Sequence, residues 1–238
     1  MKRILAAILA LVMLLAMTAC FDRDSSLNDT IPNPVKPDET TAPQETEAPK
    51  ADMVSLGRVE DGVYTNTYAG FACTLDENWT LMTAEQLQQL PGAVAELLEG
   101  SELLADSVAL ETIADMMAEN TTDLTSINVQ LQKVPISQRL VYLALSDEQI
   151  LDEVLKLQDT MMDAYAQAGI TVEKMEKKQV PFLGEQRWAL HTTATVNGIN
   201  YYILQFFDYS KGSYGITLTL GSFVEDNTAS LLSLFTPA

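Results

Sequence analysis

The chain has 238 residues and carries 33 Asp and Glu against 14 Lys and Arg, a formal charge of −19 at pH 7, with one histidine and two cysteines. That balance excludes nucleic acid as a partner, whose binding rests on Lys and Arg neutralising phosphates, and excludes polybasic docking on anionic lipid. The same counts leave too few ligands for a Cys/His zinc site and too few thiols for a disulfide framework.

The first element is a leader. Lys2 and Arg3 precede an uncharged apolar run from Ile4 to Met17. At about 1.5 Å rise per residue such a helix covers roughly 21 Å, short of the ~30 Å hydrocarbon core. A basic start, a short apolar stretch and then small residues predict a secretory signal over residues 1–19. Met17-Thr18-Ala19-Cys20 resembles the lipobox of bacterial lipoproteins, with Met17 where leucine is usual. The resemblance implies that Cys20 receives a diacylglycerol and becomes the N-terminus after cleavage. Two acyl chains suffice for stable anchoring, so the expected location is the outer side of the cell membrane.

Residues 20–52 follow as a tether. Pro32, Pro34, Pro37, Pro43 and Pro49 punctuate a stretch rich in Thr and acids. It has too little apolar surface to offset the entropy of ordering. Its coil dimension is about 30 Å, from roughly 5–6 Å × √n. Asp22-x-Asp24-x-Ser26-x-Asn28 opens like a calcium loop, but Leu27 stands where Gly is needed and Asn33 where Glu is needed. Loss of Lys2 and Arg3 with the leader leaves 12 basic side chains and a formal charge of −21.

Residues 53–238 are predicted to form a single globular domain. Val63–Thr67 and Phe71–Leu75 alternate as strands around the turn Tyr68-Ala69-Gly70, with Phe71, Cys73 and Leu75 on one face. Thr83 and Gln86 have the spacing of a capping box for a short helix that stops at Pro91-Gly92. A second helix is predicted over Leu103–Glu119 from Leu103, Leu110, Ile113 and Met117. Ser126–Val134 reads as a strand. A long helix is predicted over Asp147–Ala168, with Ser146 and Gln149 as capping box, Leu145 and Ile150 as staple, and Ile150, Val154, Leu157, Met161 and Tyr165 as stripe. Gly169 closes it.

Strands follow over Val172–Val180, Gln186–Val196, Ile199–Asp208 and Tyr214–Leu220. Their turns are Pro181–Gly184, Asn197-Gly198 (a type I′ signal) and Ser210-Lys211-Gly212. Asp226–Phe235 reads as a final short helix with Leu231, Leu232 and Phe235 inward. Ile199–Asp208 is mostly apolar on both faces, as in a strand covered on both sides. The predicted class is α+β, an antiparallel sheet of about six to seven strands with helices on both faces.

Gly70-Phe-Ala-Cys-Thr-Leu-Asp-Glu-Asn-Trp79 resembles the opening of PsbP-like domains, which run Gly-Phe-x-Phe-x-x-Pro-x-Gly-Trp. Asp76 replaces the Pro, and Asn78 the Gly, at a place where Asn tolerates left-handed φ. The resemblance implies an α/β/α sandwich and a role in binding or assembly; it transfers no functional residue.

The chemistry-bearing residues are few. His191 falls on the more polar face of its strand, where a solvated or helix-covered surface residue is expected. Cys73, between Phe71 and Leu75, reads as a buried small hydrophobe rather than a nucleophile. Asp76/Glu77, Asp147/Glu148 and Glu225/Asp226 offer oxygen ligands, but each pair fits a turn or a helix N-terminus as well. Met116-Met117 and Met161-Met162 read as packing. No nucleotide, hydrolase or metalloprotease motif occurs. No catalytic residue, cofactor or metal is assigned. The expected function is a membrane-anchored extracytoplasmic module that binds a protein or envelope component. An acid-residue hydrolase and a calcium or small-ligand binder are the alternatives.

Overall fold

A computed structural model of the protein describes residues 55–89 and 112–238. The leader, Cys20, the tether, the Pro91-Gly92 stop, Leu103 and Leu110 lie outside the described residues. The strands in chain order are β1 (Arg58–Glu60), β2 (Val63–Asn66), β3 (Phe71–Thr74), β4 (Trp79–Leu81), β5 (Thr112–Asn120) and β6 (Thr125–Lys133), then β7 (Ile170–Phe182), β8 (Glu185–Val196), β9 (Ile199–Asp208), β10 (Tyr214–Phe223) and β11 (Phe235–Pro237). The helices are α1 (described over 84–89), α2 (Ile136–Leu143), α3 (Asp147–Leu155), α4 (Gln158–Gln167) and α5 (Thr228–Leu231), which runs into a 3-10 turn at Leu232–Leu234.

The architecture is mixed α+β, dominated by two antiparallel sheets. The larger has the order β4-β5-β6-β10-β9-β8-β7 and the smaller β1-β2-β3-β11. After β6 the chain crosses through α2, α3 and α4 to the far edge. It then returns by the meander β7-β8-β9-β10, which closes against β6. Local chemistry explains the turns. Asn197 and Gly198 both adopt positive φ, 52° and 78°, as a type I′ hairpin requires. Leu183 and Gly184 do the same at 52° and 86°, so the predicted turn at Pro181–Gly184 narrows to two residues and Pro181 ends up inside β7. That is tolerated because β7 is an edge strand with one neighbour.

Two faces of the large sheet are covered differently. On one, α3 lies across β7, β8 and β9, and α4 packs on β7. Ile150, Val154, Met161 and Tyr165 are buried there with Ile170, Tyr201, Ile203 and Phe207. On the other face sit the small sheet and α5. Phe71, Phe182, Phe206 and Phe235 join the two sheets: Phe182 stacks on Phe206 at 4.7 Å and meets Phe235 edge-on at 5.6 Å. Among the described residues, helices cover one face of the large sheet, and the small sheet with α5 covers the other.

Four expectations change. Residues 112–120 form β5, not the end of a helix, and Asp115 is the extra residue of a bulge between Ala114 and Met116. The helix predicted over Asp147–Ala168 is two, broken at Lys156 and Leu157. Its N-terminal capping box is present, with Ser146 Oγ accepting from Gln149 N, and Gly169 takes φ 76° after the second segment. The predicted final helix is only α5 and one 3-10 turn, after which Phe235 pairs with Cys73 in β11–β3. At the predicted turn before Trp79, Asn78 does not take positive φ. Instead Asp76 Oδ1 accepts from Asn78 N at 2.9 Å, and Asp76 O accepts from Trp79 N. No helix among the described residues is long and apolar enough to cross a membrane.

Candidate functional site

Each residue singled out in the sequence has a definite place. Cys73 is fully buried under Phe71 and Phe235, and burial pushes its thiol up to about 12. A thiol held protonated is a poor nucleophile. Asp147 pairs with Arg187, and Glu148 and Asp152 with Lys177 at 3.0 and 2.6 Å, so the N-terminal acids of α3 clamp it to β7 and β8. Met116 and Met117 are buried on opposite faces of β5, and Met161 is buried while Met162 is partly exposed. No group of three or more His, Cys, Asp or Glu among the described residues is arranged to hold a metal ion.

His191 corrects the expectation of a surface side chain: it is 7% exposed. Its Nε2 lies 2.9 Å from Asp226 Oδ2, and its Nδ1 is 4.0 Å from Glu176. Asp226 also accepts from the Thr228 hydroxyl at 2.6 Å and from the Thr228 N–H at 3.2 Å. Partial burial opposes its charge, but Thr228 and His191 outweigh this and hold its carboxyl below the usual range. The trio ties the start of α5 to β8 and is accounted for as structure.

A second polar knot sits at the β5 bulge. Asp115 accepts from Gly57 N through both carboxylate oxygens (2.9 and 3.0 Å), from Asn66 Nδ2 at 2.6 Å, and from the Tyr64 hydroxyl. Burial, then the Asp115 charge, pushes the Tyr64 phenol far above its ordinary value. The bulge exists where one side chain must leave the alternation of β5 to reach the small sheet.

Two features that the sequence reading did not single out remain unexplained by packing. The first is α2. Pro135 sets its N-terminus, Tyr142 is buried and stacks on Tyr209 at 4.7 Å, and Arg139 Nε donates to Val134 O. The opposite side carries Ile136 and Leu140, 80% and 79% exposed, and Leu143 at 52%. Spaced i, i+4, i+7, they form one exposed apolar stripe. The spacing and the preceding Pro were readable signals.

The second is the helix-side face of β6, β10 and β9. Register places Asn128 opposite Thr219, Gln130 opposite Thr217, and Thr219 opposite Gln205. All five are 0–3% exposed. Gln205 Nε2 donates to Thr219 Oγ1 at 3.2 Å. Both amide atoms of Asn128 and Gln132, and the Oε1 atoms of Gln130 and Gln205, have no hydrogen-bond partner among the described residues. An unmet buried polar atom costs about 1–3 kcal/mol, so six of them would consume a typical domain's whole stability of ~5–15 kcal/mol. Two glycines of β10 bracket this patch. A Cβ on Gly215 would strike the Tyr209 ring at 2.3 Å, and one on Gly221 would meet Ser126 Oγ at 2.6 Å and Tyr201 OH at 2.9 Å. Tyr201 stacks on Phe223 at 4.2 Å. Burial raises the phenols of Tyr165 and Tyr201, so both stay neutral. Compared with known proteins, the chain matches no protein-family model and no curated protein.

Proposed function

We propose that this chain is a lipid-anchored extracytoplasmic module that binds a protein partner of the cell envelope through α2. The anchor rests on Met17-Thr18-Ala19-Cys20 and on the Pro- and acid-rich stretch that follows it. The observation that carries the binding reading is the exposed stripe Ile136, Leu140 and Leu143 on a helix that is itself held firmly by Tyr142 and Arg139. Apolar anchors at i, i+4 and i+7 are what an amphipathic helix presents to a groove in another protein, and contiguous exposed apolar surface marks interaction sites.

Charge selects the occupant. The domain's strong negative charge repels anionic lipid. Residues 134–146, which hold α2, contain no acid and carry Arg139, so this surface suits close approach by another protein. A PsbP-like relationship, drawn from Gly70–Trp79, fits the same role in binding or assembly.

A photoreactive residue at Leu140, introduced in the full chain and irradiated on intact cells, tests the reading. One recurrent protein adduct is expected, abolished by Ile136→Asp and not formed from Val224, an exposed apolar residue elsewhere. An adduct to lipid alone, or none, would overturn it. Separately, Cys20→Ser should release the protein from the membrane fraction; retention would refute the anchor.

A further inference from the structure

Residues 224–238 leave β10 through a turn that is strained where it begins. Glu225 N donates to Phe223 O at 2.9 Å and closes a three-residue turn, with Val224 at its centre at φ 72°. Three-residue turns with positive φ are rare and strained, and a β-branched residue there is an outlier. Asn227 N then donates to Glu225 O at 3.0 Å, so two such tight turns follow one another. Beyond them the chain is held by distant strands. Asp226 is bound to His191 on β8. Leu231 and Leu232 are buried in the apolar cluster. Phe235 pairs with Cys73 on β3 and meets the Phe71 and Phe182 rings edge-on at 5.4 and 5.6 Å. Ala238 N donates to Gly70 O. The same segment of a second molecule can make each of these contacts equally well.

We infer that residues 225–238 exchange between two copies of this chain, giving a two-fold dimer in which each C-terminal segment completes the other's small sheet. A second copy is the occupant because segment and slot are already matched, so exchange restores every contact beyond the turn. Only the turn itself differs. In the closed chain Val224 is held at positive φ; in the exchanged chain the turn opens and Val224 continues β10 with an extended backbone. Strain in a short hinge favours such exchange. Two features oppose it. The Ser222 hydroxyl donates to Glu225 O at 2.7 Å across the closed turn. The chain's charge of −19 repels a second copy until salt screens it. The dimer is therefore favoured by high protein concentration and by salt. It carries two α2 helices, so a partner held by α2 is met bivalently; that consequence rests on the α2 reading, whereas the exchange does not.

Ala72 and Thr236 are directly opposite across β3 and β11, a spacing that a disulfide can bridge. The full chain in detergent, carrying both Ala72→Cys and Thr236→Cys, is concentrated at low and high salt, oxidised, and run on a denaturing gel without reductant. A closed chain links to itself and runs as a monomer; an exchanged chain links to its partner and runs as a covalent dimer. The expected result is a dimer band that grows with concentration and salt and is absent from each single-cysteine variant. Adding Val224→Gly relieves the turn in both chains and should weaken dimerisation on the order of 100-fold, about tenfold for each turn. Adding Ser222→Ala loosens the closed turn and should strengthen it. Sedimentation equilibrium of the chain without added cysteines, with and without Val224→Gly, reads the same shift if the cysteine variant fails to fold. A monomer under every condition, an equal dimer band from a single-cysteine variant, or a dimer fraction that Val224→Gly leaves unchanged would overturn the proposal. None of these outcomes touches the crosslinking at Leu140, so the two readings fail separately.

Discussion

The two faces of β6 and β10 are built from the same two strands, one residue out of phase, and their chemistry is opposite. Toward the small sheet, Leu131 faces Ile216, Val129 faces Leu218 and Ile127 faces Leu220. All six are nearly or fully buried in one apolar cluster. Toward the helices, Gln132 faces Gly215, Gln130 faces Thr217 and Asn128 faces Thr219, equally buried. Burial is thus the same on both faces, while only one of them gains from it. One face supplies stability. The other opposes it, because its buried amides lose water without gaining partners.

The largest expected effect breaks the apolar face. Leu218→Ala should cost about 2–5 kcal/mol, the range for a buried leucine that leaves a cavity, read from equilibrium urea unfolding. A cost under ~1 kcal/mol would mean that the two sheets do not pack as described. Next comes the polar knot that enters this side. Asp115→Ala strands three donors, Gly57 N–H, Asn66 Nδ2 and the Tyr64 hydroxyl, and should cost roughly 2–3 kcal/mol. An unchanged urea midpoint would show that the small sheet does not depend on the bulge. The opposite sign is expected on the polar face. Gln132→Met removes two unmet amide atoms at similar volume and should raise stability by about 1–2 kcal/mol. A loss of that size would show instead that the amide is already satisfied.

This asymmetry was only half legible in the sequence. Ile127, Val129 and Leu131 alternate with polar residues, a pattern that equally describes a strand with one face in water; the burial of Asn128, Gln130 and Gln132 depends on tertiary cover that no local signal carries. β9 was readable because Asn197-Gly198 fixes its hairpin and its residues are mostly apolar on both faces, Gln205 being the exception. The cap of α3 was readable because Ser146 and Gln149 act locally. β5 was misread for a physical reason. The bulge at Asp115 places Ile113 and Met116 on the same side, three residues apart, which imitates helical spacing. α2 carried its signal in Pro135 and in Ile136, Leu140 and Leu143, but eight residues between two stronger elements are easily absorbed into a loop.

The smallest expected effect concerns the ion pair at the edge of the apolar face. His191 shares its strand face with Ala189, which lies in the apolar cluster, and is met there by Asp226, with Glu176 at 4.0 Å. Lys178 stands 3.8 Å from Asp226. Thr228 and His191 hold the Asp226 carboxyl below its ordinary value of 3.8 despite partial burial. Below that value the unfolded chain takes up this proton before the folded chain does, so stability falls with falling pH. The contribution is fully present above about pH 4 and disappears as pH drops through the lower, folded value. Asp226→Asn removes that proton from the balance. Stability measured from pH 5 to pH 3 should therefore decline less steeply in the variant, and the two curves should converge toward the acid end. The Lys156–Glu153 pair on α3 serves as control, since both side chains are well exposed and such pairs contribute little; Glu153→Gln should leave the acid limb nearly parallel to wild type. If Asp226→Asn also ran parallel to wild type, the carboxyl would have the same proton affinity folded and unfolded, and the contact between α5 and β8 would rest on the apolar packing of Leu231 and Leu232 alone.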